Sequence, residues 1–231
     1  MKKITTMKKT IIILSVIVLI LSVFALISGN SNSSLDIQSV PISNNIVFDS
    51  QEVVEERKAR IDEKAEEALS FCETNDCNTD FCILIDMKIH SGRYRMFVYD
   101  FKDRKVERKA LVTHGSGKDD KKSTGAEPLF GNEEGSLLTS LGKYTIGDSA
   151  YSRWGINVHY KLHGLDTSNS NAFKRIIVLH SYTPVPSYEI YPRHLPMGWS
   201  WGCPVTDDRT MAWLDSKLRD VKKPVLLWIY Y

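Results

Sequence analysis

Hydrophobic positions along this chain change their period twice. Residues 11–27 are apolar except for Ser15 and Ser22, and they follow Lys2, Lys3, Lys8 and Lys9. Ser28-Gly29-Asn30-Ser31-Asn32-Ser33-Ser34 comes next. Basic, then apolar, then polar is the order of an export signal or a membrane anchor. The apolar run exceeds the roughly 7–15 residues of a signal-peptide core and sits at the low edge of the roughly 17–25 that span a bilayer. No clear Ala-x-Ala site follows, and no cysteine stands at its end. The expectation is an uncleaved signal anchor over 1–28 rather than a cleaved signal peptide, with the lysines cytoplasmic and the rest of the chain outside. Residues 29–50 are rich in Ser and Asn and read as a linker.

The period then becomes helical. Val54, Ile61, Ala65, Ala68 and Leu69 recur at helical spacing, opposite Glu52, Glu55, Glu56, Lys58, Glu63 and Glu67. This predicts an amphipathic helix within 51–75 leading into the next domain. From residue 81 strands are predicted. The apolar run over 81–86, the alternation over 95–100 after Ser91-Gly92, and its hairpin partner over 105–112 come first. Residues 114–142 carry many Gly, Ser, Lys and Asp and read as a long loop. Strands are expected over 143–146, 155–162, 175–180 and 224–231. Asp207 or Asp208 can cap a helix through Met211, Ala212, Leu214 and Leu218. Residues 76–231 are therefore predicted to be mainly β with a few helices, an α+β class domain.

Composition narrows the partners. The chain has 231 residues, 42% hydrophobic and 25% charged, with a net charge of +2. Basic and acidic residues nearly cancel, so no nucleic-acid partner is implied. Cys72, Cys77 and Cys82 are evenly spaced, which is not the spacing of a zinc knuckle. In an exported protein two of them can pair, and packing as small apolar thiols explains them equally well.

The candidate chemistry sits near the C-terminus. Cys203 lies in Gly198-Trp199-Ser200-Trp201-Gly202-Cys203-Pro204-Val205, and His180 ends the apolar run 175–180. A thiol on a glycine-bearing turn and a strand-end imidazole suffice for acyl transfer. The thiolate attacks a carbonyl, the imidazole carries the proton, and backbone N–H groups of Gly202 and Cys203 can hold the oxyanion. His before Cys argues against papain-like and amidase-type peptidases, which have the opposite order.

These residues resemble the murein L,D-transpeptidase catalytic domain family, in which a strand-end His precedes a Ser-His-Gly-Cys turn. The matching segments are Ser200-Trp201-Gly202-Cys203-Pro204-Val205, Ser140-Leu141-Gly142-Lys143-Tyr144, Leu162-His163-Gly164-Leu165 and Asn169-Ser170-Asn171-Ala172. The resemblance spans roughly residues 65–231. It implies an L,D-transpeptidase-type β-sandwich or barrel, with Cys203 as nucleophile and His180 as general base then acid. It also implies a turn of Ser200, Trp201 and Gly202 shaping the oxyanion site. Peptidoglycan stem peptides are the implied partners and the envelope outside the cytoplasmic membrane the implied location. No cofactor and no metal are called for. Ser181, His163 and His114 are weaker substrate-side candidates, and Trp154, Trp199 and Trp201 are candidates for lining a groove. Two positions depart from the family: Trp201 replaces its His, and Val205 stands where an Arg usually follows the Cys. Arg209 is the nearest replacement charge in sequence. A non-catalytic wall-binding module on the same fold is the main alternative. A zinc hydrolase using His163, His180, His194 and Cys203 is a weaker one.

Overall fold

The computed structural model describes residues 50–118 and 120–231. The signal anchor expected over 1–28 lies outside the described residues, as does the linker expected over 29–50 except for Ser50. Among the described residues no helix is long and apolar enough to cross a membrane.

Helix α1 spans Gln51–Thr74, capped by Ser50, whose Oγ accepts the Val53 N–H. The strands are β1 (Phe81–Asp86), β2 (Met96–Asp100), β3 (Lys105–Ala110), β4 (Gly117–Lys118), β5 (Lys121–Lys122), β6 (Gly142–Tyr151), β7 (Val158–Gly164), β8 (Val178–Ser181), β9 (Val205–Thr206) and β10 (Val225–Tyr230). Helix α2, Asp208–Leu218, follows β9 and is capped by Asp207, whose side chain accepts the Thr210 N–H. Eight strands form one mixed sheet in the order β3-β2-β1-β10-β6-β7-β8-β9. The sheet curls until its two edges meet. Beyond β3, Thr113 N–H donates to Val205 O at 2.9 Å, and Thr206 Oγ1 donates to Leu111 O at 2.9 Å. This is the barrel form of the expected mainly β architecture.

Burial on both faces explains the unbroken apolar runs. Phe81, Ile83 and Ile85 of β1, with Val225, Leu227 and Ile229 of β10, face the interior beside Met211, Leu214 and Leu218 of α2. Cys82, Leu84 and Leu226 face the other way, under Ile61, Ala65, Ala68 and Cys72 of α1. Strands covered on both sides lose the polar alternation of half-exposed strands. Helix α1 is thus one wall of the folded body. Arg60 clamps it there, donating in fork geometry to the fully buried Asp86 at 3.0–3.1 Å. Of the helical apolar set, Val54 stays on the surface.

Two expected elements shift. The strand expected over 175–180 begins only at Val178. Residues 171–177 instead form successive turns, with Arg175 N–H on Asn171 O and Ile177 N–H on Ala172 O. Ile176, inside that expected strand, is 75% exposed with φ +56°. The long loop over 114–142 holds the small β4–β5 hairpin and one bridge between Phe130 and Thr139. All four cysteines are free, and Cys72, Cys77 and Cys82 are buried in the layer beneath α1.

Candidate active site

Strand order brings His180 and Cys203 together. Strands β8 and β9 run parallel with His180 opposite Val205, so the turn that precedes β9 returns alongside the start of β8. There the Val178 N–H donates to Cys203 Sγ at 3.4 Å, and the thiol donates to Ile176 O at 3.8 Å. Val178 and His180 point to the same side of β8, because side chains alternate along a strand. Both His180 and Cys203 line a groove of about 580 Å³, with Tyr151, Ser152, Arg153, Trp154, His159, Tyr182, Trp199 and Trp201 among its other walls.

The turn is knotted by its own side chain. Ser200 Oγ donates to Cys203 O at 2.6 Å and accepts the Gly202 N–H at 3.1 Å. Gly202 has φ +117°, and an added Cβ would lie 2.8 Å from Leu138 O. Only glycine fits such a left-handed, crowded position. Thr139 Oγ1 donates to Gly202 O at 3.0 Å, tying the turn to the preceding loop. Since Ser200 takes the Gly202 N–H, that group is not a free oxyanion donor as the sequence reading expected. Among the described residues the Cys203 N–H has no acceptor.

His180 is oriented without a carboxylate. Its Nδ1 lies 2.9 Å from Ser181 O. A carbonyl oxygen only accepts, so Nδ1 carries the proton and Nε2 holds the free lone pair. Burial pushes the imidazole below its usual range, aided by neighbouring His159 and opposed by the Ser181 carbonyl. Burial likewise pushes the Cys203 thiol up, opposed by the Val178 N–H and the Arg175 guanidinium. Both shifts favour a neutral thiol beside a neutral imidazole over a preformed ion pair. Among the described residues no hydrogen bond joins the two side chains directly, and such bonds often tighten only on substrate binding.

The weaker candidates fall elsewhere. His163 stacks on Phe173 at 5.0 Å between ring centroids, outside the groove. His114 is fully buried, with Arg95 donating to its Nδ1 at 2.9 Å and its Nε2 donating to Thr124 O at 3.1 Å. Burial and the Arg95 charge hold it at about 3, so it is a neutral strut inside the loop. Ser181 is buried too. Its Oγ accepts the Ile156 N–H at 3.1 Å and so supports the groove wall formed by Arg153 and Trp154. His114 and Ser181 are thus hydrogen-bonded within the protein, and His163 packs on Phe173. His194 stacks on His90 at 3.7 Å, away from His163 and Cys203, so the proposed zinc set does not converge. Among the described residues no cluster of three His, Cys, Asp or Glu side chains is placed to hold a metal. Arg209 is exposed on α2 and does not line the groove.

Several groove residues were missed, and three of them bear on the chemistry. His159 pairs in register with His180 across β7 and β8. Arg153 and Tyr182 supply a cation and an aromatic wall. Only their position on adjoining strands and loops singles them out; no local motif does.

The sequence profile of the L,D-transpeptidase catalytic domain matches residues 54–230. None of the curated proteins matches the chain. Similar solved structures include the L,D-transpeptidase (residues 123–326) from Xylanimonas cellulosilytica, 12% identical with TM-score 0.38, covering 65% of this chain and 60% of that one. A K307A mutant of the helical cell shape determining protein Pgp2 from Campylobacter jejuni is 16% identical with TM-score 0.40, covering 71% and 53%. An L,D-transpeptidase from Mycobacterium smegmatis is 12% identical with TM-score 0.36, covering 66% and 59%. The chain therefore spans less than two thirds of each of these structures.

Proposed function

This chain belongs to the L,D-transpeptidase catalytic domain family, and from that premise we propose that it is a cysteine-dependent acyltransferase acting on peptidoglycan stem peptides outside the cytoplasmic membrane. The observation that carries the reading is the shared groove. Cys203 Sγ is held at the Val178 N–H, and His180, two residues further along the same strand, has its Nδ1 occupied by Ser181 O and its Nε2 free.

In this reading the donor is the carbonyl joining the third, L-centred residue of a stem tetrapeptide to its terminal D-alanine. Cys203 Sγ bonds to that carbon as its proton moves to His180 Nε2. The Cys203 N–H supports the oxyanion. The C–N bond breaks, His180 returns the proton to the leaving amine, and D-alanine departs from a thioester. An amine from a second stem then attacks, giving a 3–3 cross-link and freeing the thiol. Water in its place gives an L,D-carboxypeptidase product. A thiol held above its usual pKa and an imidazole held below its own support proton transfer concerted with attack rather than before it.

The test is mass spectrometry of disaccharide-tetrapeptide incubated with the full-length protein in mild detergent, beside Cys203→Ala. Loss of one D-alanine with dimer formation is the expected result, and loss without dimer assigns the carboxypeptidase reaction. Cys203→Ala should lose both while keeping its cooperative unfolding. No D-alanine release by folded wild-type protein would overturn the enzymatic reading in favour of a wall-binding module.

A further inference from the structure

The departure at Val205 leaves no charge directly after Cys203. The fold brings one from another direction. Arg175, half-buried, stands in the turns that precede β8. Its Nη1 donates to Gly131 O at 3.0 Å and to Ser140 Oγ at 2.6 Å. Its Nη2 donates to Leu138 O and, at 3.4 Å, to Ser136 Oγ. Every one of these acceptors is neutral. Among the described residues the ionisable groups acting on the guanidinium are Tyr144 and Cys203, neither of them a carboxylate. A Cβ on Gly202 would meet Arg175 Nη2 at 3.1 Å, so the guanidinium lies directly behind the residue that precedes the thiol. The loop that Arg175 holds also carries Thr139, which bonds Gly202 O.

We propose that Arg175 is a positioning residue for the thiol: it fastens the 131–140 loop under Gly202 and presents an uncompensated positive charge to Cys203. The inference rests on Cys203 being the nucleophile. Two physical facts make the placement consequential. An arginine without a carboxylate keeps its whole field, whereas an ion-paired one largely cancels its own. The guanidinium also bonds several carbonyls and hydroxyls of the 131–140 loop at once, which holds its charge close behind Gly202. Burial alone would hold the Cys203 thiol protonated. Arg175 and the Val178 N–H are the groups that oppose it. The other titratable or charged groups lining the groove are His180, His159, Arg153, Tyr151 and Tyr182.

The experiment follows alkylation of Cys203 in the full-length protein by iodoacetamide, a neutral reagent, between pH 5 and 10. Peptide mass mapping reads Cys203 alone. Arg175→Gln keeps a hydrogen-bonding side chain without charge, and Arg175→Lys keeps the charge. Removing a nearby opposite charge should raise the apparent thiol pKa by about one unit or more and slow alkylation at pH 7 about tenfold. Arg175→Lys should stay within about twofold of wild type if charge is the operative feature. A folded Arg175→Gln protein whose profile superimposes on wild type would overturn the proposal. Should that variant fail to unfold cooperatively, Arg175→Lys decides: an upward-shifted profile in the folded lysine variant also overturns it. Alkylation reads the thiol directly. A wild type that behaves as expected here but releases no D-alanine therefore refutes the enzymatic reading and confines Arg175 to tuning the Cys203 thiol, whereas an unshifted Arg175→Gln profile refutes the role of Arg175 itself.

Discussion

Ser200 Oγ donates a 2.6 Å hydrogen bond to the carbonyl of Cys203. The same oxygen accepts the Gly202 N–H, so one hydroxyl closes both ends of the turn that carries the thiol. Ser200→Ala leaves the buried Gly202 N–H without its partner, which should cost about 1–3 kcal/mol. Gly202→Ala should cost more, because its φ of +117° is strained for alanine and its Cβ would press on Leu138 O. Urea unfolding of both variants checks the order. Equal stability of Gly202→Ala and wild type would refute the turn geometry.

Proton transfer predicts a pH profile. The competent form pairs a protonated Cys203 with a neutral His180. His180 is held below its ordinary value by burial, so the neutral base survives until pH falls below about 6.5. Cys203 is held above the usual thiol range, so the protonated nucleophile persists into alkaline solution. The expected kcat/KM profile for D-alanine release is a broad plateau with its acid midpoint below 6.5 and its alkaline limb above the usual thiol value. A narrow bell centred on neutrality would instead indicate a preformed thiolate–imidazolium pair. His180→Ala should lower the rate about 10²–10⁴-fold, and a loss under tenfold would remove His180 from the role.

His114 should govern part of the acid stability. It stays neutral in the fold down to about 3, whereas the unfolded imidazole binds a proton near about 6.5. Between those values the unfolded state carries more protons, so stability falls as pH falls. The slope from this residue is at most about 1.4 kcal/mol per pH unit. His90 and His194, also held low, add to the total. The diagnostic is therefore the difference between wild type and His114→Gln, whose unfolding free energy should decline less from pH 7 to pH 4.5. Parallel declines would show that His114 is not the group involved.

The four thiols should react in two classes. Cys72, Cys77 and Cys82 are buried, and burial raises Cys72 to about 12 and Cys82 well above the usual range. Cys203 lines the groove. Titration with a thiol-specific disulfide reagent should label Cys203 in the native protein and the other three only on unfolding. Native labelling of Cys77 at a comparable rate would mean that the layer beneath α1 opens readily.

Most of the elements could be read from the chain because their signals are local. Helix α1 shows in its apolar period, Asp207 caps α2, and the β2–β3 hairpin shows in its alternation. The errors occurred where tertiary contacts outweighed apolarity. Ile176 belongs to an apolar run, yet it sits in a turn with its side chain exposed and its carbonyl beside the thiol. His163 and His114 carry the right chemistry for a site, but ring stacking and the buried Arg95 place them outside it.

By itself the sequence determined the nucleophile candidate, its imidazole partner and the mainly β class, since these rest on residue type, order and local period. Only the tertiary structure decided what surrounds them. The parallel pairing of β8 with β9 sets Cys203 against Val178, the β7–β8 register sets His159 beside His180, and the turns before β8 turn Arg175 toward Gly202. Each is a contact between segments that sequence order leaves independent. A strand's neighbours and the field at a buried thiol are properties of closure, and no window along the chain contains them.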